Sequence, residues 1–268
     1  MVYIPYDVDL AVKSKCKRYH YSNQTAKAYL YWIHRFLNWS KKELGKISKK
    51  DVSAFLQKLD NNNLSGNTLN QAHMAIKFLF EDVMNRKMWI NIKYTKVPKK
   101  IQRVLTKQEV KILLDNIKNN KHRLMIELMY SAGLRVSEIV NMKVENLVWV
   151  NGKLVNYGFI RNGKGGKDRL FIIANHINNK LQKLIDKEKL EKEDYLFLTN
   201  RGKRYNIRSL QQIVKKSVKS AEIENWQEIH CHTLRHSFAT HLIEQGTSIG
   251  EVQSILGHKN PETSLGYI

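Results

Sequence analysis

Apolar residues recur at helical spacing along most of the chain, and the polar residues between them mark where helices start and stop. From Ser22, a suitable N-cap, apolar side chains fall at Ala26, Tyr29, Leu30, Ile33, Phe36 and Leu37. That is the three-and-four spacing of one helix face. A shorter helix is predicted over Lys50–Leu59, then a turn at NNNLSGN. Helical periodicity returns over Leu69–Met84. Residues 1–95 therefore read as a small all-helical domain. Its aromatic stripe, Tyr29, Trp32, Phe36 and Trp39, reads as core packing in preference to a base-stacking platform.

Around Pro98 the pattern lapses, and Lys93, Lys96, Lys99, Lys100 and Arg103 surround the proline. Residues 96–105 read as a basic, extended linker. Thr106 and Glu109 then have the spacing of a capping box, which opens a second domain over 106–268. Helices are predicted there at 107–118, 121–132, 136–142, 175–188, 207–221, 233–245 and 248–256. Between the third and fourth, apolar and polar residues alternate around two turn signals, Asn151-Gly152 and Gly163–Gly166. That predicts a three-stranded antiparallel sheet. The expected fold is thus mainly α with a small antiparallel β-sheet, a helical N-terminal domain preceding an α+β domain.

Charge adds the first functional clue. Lys and Arg number 46 against 24 acids in 268 residues, a net of +22. The first 100 residues hold 19 bases and 7 acids, the remaining 168 hold 27 and 17. Both parts are basic, as two domains gripping one polyanion would be. A lysine-rich composition bias explains the same balance without a partner. A membrane surface suits it less, because no basic amphipathic helix carries an aromatic face. No apolar run approaches the roughly 18–20 residues of a membrane span. The start lacks the basic and apolar regions of a secretion signal. Cys16 and Cys231 form no C-x-x-C pair, so a disulfide framework is not expected and a reducing cytoplasm fits.

Four segments hold candidate chemistry. In Ala132-Gly-Leu-Arg-Val-Ser-Glu138, Arg135 sits at a helix start, where a guanidinium fork suits a phosphate; alone, an ion pair with Glu138 explains it as well. Gly163-Lys-Gly-Gly-Lys-Asp-Arg169 can hold Lys164 outward at a hairpin tip, or be a solvated basic turn; it is no Walker loop. In His232-Thr-Leu-Arg235-His236, His232 and Arg235 share a helix face. The i, i+4 histidines invite a metal reading, but no H-E-x-x-H is present and no metal is expected. In Leu256-Gly-His258-Lys-Asn-Pro-Glu-Thr-Ser-Leu-Gly-Tyr267, the helix breaks at His258 and Tyr267 follows nine residues later. A lone tyrosine there could equally be a packing anchor.

Together, in this order, the segments resemble the tyrosine recombinase (phage integrase) family, and its Xer-type members most. HTLRHSFATHLIEQG followed by IGEVQSILGHKNPETSLGY carries the resemblance most specifically. It extends over 103–267 closely, and over 10–95 more loosely as the family's core-binding domain. It implies Arg135 and Arg235 as phosphate clamps, Lys164 as the hairpin lysine, His232 and His258 as the two histidines, and Tyr267 as the nucleophile, with Glu138 in support. Lys96, Lys99, Lys100, Arg103, Lys167 and Arg169 are candidate DNA contacts. The implied reaction cuts and rejoins double-stranded DNA at a recombination site through a 3′-phosphotyrosyl link. It needs no cofactor and proceeds in a homo- or hetero-tetramer. Resolution of chromosome dimers is the expected role. Integration of a mobile element, a type IB-like topoisomerase and a catalytically silent DNA-binding protein are the alternatives. Members usually run on past the tyrosine through a segment that often docks on a neighbouring protomer. Here the sequence stops at Ile268, so the route of assembly stays open.

Overall fold

The computed structural model describes residues 7–87, 102–161 and 168–257. The chain divides into two compact units, Met1–Lys99 and Lys100–Ile268. Among the described residues, no helix is long and apolar enough to cross a membrane.

The first unit is helical. α1 (Val8–Arg18) starts at Asp7, whose carboxylate accepts the Leu10 N–H at 3.0 Å. α2 (Asn23–Ser40) is capped by Ser22, as its sequence predicts. α3 (Lys49–Asn61) opens with a reciprocal Ser48/Asp51 box, and α4 (Gly66–Lys77) with Ser65. Each cap satisfies an N–H that the helix leaves without a partner. α2 lies against α1, α3 and α4. Phe36 meets Trp39, Phe55 and Phe80 with ring centroids 6.4, 5.2 and 6.3 Å apart. The aromatic stripe is therefore core. The helix expected to reach Met84 changes at Phe78 into a π-turn through Val83. The wider turn lets three consecutive residues, Phe78, Leu79 and Phe80, all face inward.

In the second unit, the Thr106/Glu109 box starts α5 (Lys107–Asp115). α6 (Asn120–Ser131) is buried along its length from Leu124 to Met129 and packs on α5, α7 (Val136–Asn141), α8 (Asn175–Glu188) and α10 (Cys231–Glu244). β1 (Leu147–Val150), β2 (Lys153–Ile160) and β3 (Arg169–Ile172) form an antiparallel meander. Asn151 and Gly152, with φ of 51° and 73°, close the first hairpin, the two-residue turn whose twist matches paired strands. The Gly163–Gly166 turn lies outside the described residues. Leu147, Leu154, Ile160 and Phe171 face the core, and α8 packs on β2. α9 (Ile207–Ser220) packs on α7, and α11 (Ile249–Leu256) on α10 and β3.

Candidate active site

Three arginines from three elements converge on one carboxylate. α6 ends at Ala132, and Gly133 turns the chain with φ of +59°. A Cβ at Gly133 would lie 2.6 Å from Phe238 Cδ1 and 2.7 Å from Leu256 Cδ2. Both the backbone angle and the space thus call for glycine. Two residues on, Arg135 is the N-cap of α7, and Glu138 reaches back to it. The Glu138 carboxylate accepts the Arg135 N–H at 2.8 Å and its Nη1 at 2.7 Å. The ion pair weighed as the bland reading of Arg135 exists, but in the interior: Glu138 is 8% exposed.

The same carboxylate accepts Arg169 Nη2 at 2.6 Å and has Arg235 Nη1 at 4.0 Å. Burial alone would raise the Glu138 pKa. The Arg169 charge, the Arg135 N–H and the Arg135 guanidinium outweigh it and hold the carboxyl below its ordinary range.

The C-terminus of α11 is the second anchor. Its last carbonyls have no partners within the helix and form the negative end of its dipole. Leu256 O accepts Arg235 Nη2 at 2.5 Å and Arg135 Nη2 at 3.5 Å, and Ile255 O accepts Arg169 Nη1 at 2.8 Å. Arg235, 5% exposed, also donates to Gly133 O. The guanidiniums are thus fixed before any ligand arrives. Among the described residues, three guanidiniums gather on one carboxylate, an environment suited to an oxyanion that develops charge during reaction.

α10 presents the histidines unequally. His232 is exposed, one turn before buried Arg235. His230 caps the helix and its ring lies edge-on to His232 at 6.0 Å. His236 is buried, and burial lowers its pKa, so the i, i+4 histidines do not share one accessible face. Among the described residues, no group of three or more His, Cys, Asp or Glu could hold a metal ion. Cys231, beside His232, is buried, and that burial pushes its thiol up to about 12. Ser237 donates to Thr233 O and accepts the Leu105 N–H at 2.8 Å, tying the start of this unit to α10.

Arg135, Glu138, Arg169 and Arg235 are brought together here. Lys96, Lys99, Lys100, Lys164, Lys167, His258 and Tyr267 lie outside the described residues. Two candidate DNA contacts have partners within the protein, Arg169 with its side chain buried and Arg103 with its side chain part-exposed. Arg169 is 7% exposed at its side chain, and Arg103 pairs with Glu109 and Val104 O. Sequence reading missed the backbone acceptors at Gly133, Ile255 and Leu256. Only the two glycines flanking the site, Gly133 and Gly257, hinted at close backbone approach.

Residues 103–268 match the phage integrase family, and residues 10–90 match the phage integrase N-terminal SAM-like domain. The chain belongs to the phage integrase family. The tyrosine recombinase XerA of Thermococcus kodakarensis is 33% identical to this integrase, over 92% of its chain and 84% of the relative's. Two solved structures share its fold. The XerH recombinase bound to a palindromic difH substrate has a TM-score of 0.73 and 24% identity, over 97% of this chain and 80% of that one. The Tn1549 transposon integrase in complex with transposon right-end DNA has a TM-score of 0.74 and 19% identity, over 97% and 94%. The resemblance read from the motifs is thus a family membership. The integrase is a tyrosine recombinase of Xer type, an enzyme of DNA cleavage and rejoining.

Proposed function

We propose that this recombinase performs strand transfer on a double-stranded DNA site with Tyr267 as the nucleophile. The observation that carries the reading is the fixing of Arg135 and Arg235 on Glu138 and on one helix end. The two guanidiniums bind the non-bridging oxygens of the scissile phosphate. Tyr267 Oη attacks phosphorus and its proton passes to His232. The bond to the 5′ oxygen breaks, and Lys164 protonates that leaving group. His258 donates a further hydrogen bond to the pentacovalent phosphate. The 3′-phosphotyrosyl link keeps the bond energy, so the reverse attack by a 5′ hydroxyl rejoins DNA without a cofactor. Cationic side chains supply the charge stabilisation, so chelation leaves cleavage unchanged.

The helical unit clasps the duplex as a core-binding domain, with Lys96, Lys99, Lys100 and Lys167 as phosphate contacts. The assembly on DNA is a tetramer of this chain, or of this chain with a relative. Its cellular role is resolution of chromosome dimers in the cytoplasm. The Xer-type relatives support that role over integration of a mobile element.

A suicide duplex nicked beside the scissile phosphate tests the chemistry. Its site would be taken from a randomised duplex pool selected with the wild-type protein. The wild type should give an SDS-stable protein–DNA adduct, Tyr267→Phe none, and EDTA no change. An adduct that survives Tyr267→Phe, or cleavage abolished by EDTA, overturns the mechanism. Relaxation of plasmids lacking the site would point instead to a topoisomerase.

A further inference from the structure

Arg169 is the first residue of β3, five residues beyond Lys164 in sequence. A phosphate contact needs an accessible guanidinium, and this one is buried with both terminal nitrogens engaged inside the protein. Nη2 donates to Glu138 on α7 and Nη1 to Ile255 O at the end of α11. The Gly257 turn that ends α11 leaves room for it: a Cβ there would lie 2.9 Å from Arg169 Cδ. A single planar fork therefore ties three elements together. The carboxylate it binds is the one that holds Arg135. Lysine has one donor centre and cannot span a carboxylate and a carbonyl in the same way.

We propose that Arg169 is a positioning residue of the strand-transfer site, which locks β3 to Glu138 and to the end of α11 so that Arg135 is presented to the phosphate, and that it makes no DNA contact. The inference rests on the strand-transfer reading above. Among the described residues, the charged groups facing Glu138 are Arg135 from α7, Arg169 from β3 and Arg235 from α10. With Arg169 gone, two cations remain against the burial that favours the neutral acid. The carboxyl then titrates at a higher pH and releases Arg135 there.

The test compares the full-length wild type, R169Q and R169K on the selected suicide duplex. Misplacing a clamp by about 1 Å costs on the order of 10²-fold in rate, and a slowing of that size is expected for adduct formation by R169Q at saturating protein. DNA affinity and its salt dependence should stay as in the wild type. R169K should recover part of the rate. The acid limb of the R169Q rate profile should move to higher pH. A salt slope smaller by about one unit, with a normal rate at saturation, makes Arg169 a DNA contact and overturns the proposal. A rate loss that follows the fall in melting temperature and disappears on cooling, with no shift of the acid limb, overturns it too. If R169Q fails to fold, R169K carries the same comparison with the same outcomes. Absence of any adduct in the wild type strikes the strand-transfer reading first, and the role of Arg169 falls with it.

Discussion

The two units of this integrase are held together by different physics. The helical unit buries apolar and aromatic side chains and, among its described residues, one polar side chain, His73. The catalytic unit buries Glu127, Glu138, Thr233, Arg235, His236, Ser237 and His241. Buried ion clusters are costly to desolvate and often add less stability than apolar residues of the same volume. On the proposed strand transfer, the catalytic unit tolerates that cost where the guanidiniums are to be rigid before a phosphate arrives. The helical unit has no such demand, and its interior follows the simpler rule of packing.

The contrast can be broken first at its most demanding point. Arg235→Ala removes the buried arginine proposed as a phosphate clamp and should lower the single-turnover cleavage rate by at least about 10²–10³-fold. DNA binding, measured by fluorescence anisotropy, should largely persist because other phosphate contacts remain. Equal loss of binding and cleavage would make Arg235 a docking residue.

Stability comes next. Glu138→Ala leaves guanidiniums buried together without their carboxylate and should cost about 3–5 kcal/mol in urea denaturation. Phe36→Ala should cost a similar 3–5 kcal/mol through the cavity it leaves. Fluorescence from the tryptophans of each unit should report on which one unfolds. Cleavage at saturation should collapse in the first variant and survive in the second below its melting transition.

A smaller effect comes from pH. The folded Glu138 carboxyl lies below its ordinary 4.5. Its contribution to stability is complete above that value and is lost as pH falls through the folded pKa. Glu138→Gln should therefore flatten the acid side of the stability profile of the catalytic unit. A profile unchanged below about pH 4.5 would show that Glu138 is not what titrates there. Smallest of all, Ser48→Ala removes one side of the α3 capping box and should cost about 1 kcal/mol, with no change in cleavage rate.

The apolar framework was legible because it is local. Ser22, the Thr106/Glu109 box and Asn151-Gly152 announce their elements through interactions a few residues long. α1 was missed because its buried face is only Val8, Val12 and Cys16 among lysines, while Leu10 points to solvent. The π-turn at Phe78 was read as ordinary helix, since a one-residue change of period leaves no mark in so short a run. At the site, the order of motifs named Arg135, Glu138 and Arg235, but not what fixes them. Their acceptors include backbone carbonyls of Gly133 and Leu256, which every residue type possesses. The inward turn of Arg169 depends on Glu138, 31 positions earlier, and on Ile255, 86 positions later. Composition favours a surface role for any arginine in a basic hairpin, and only the fold reverses it.

Cys231 shows what burial does for durability. A thiol in the first turn of a helix, next to an exposed histidine, is where a reactive thiolate would be sought. Burial pushes its pKa up to about 12, so the thiol and not the thiolate is the form present near neutral pH. Alkylating reagents and peroxide, which attack the thiolate, find almost none of it. Burial thus spares Cys231 the alkylation and oxidation that an exposed thiolate in the same place would meet.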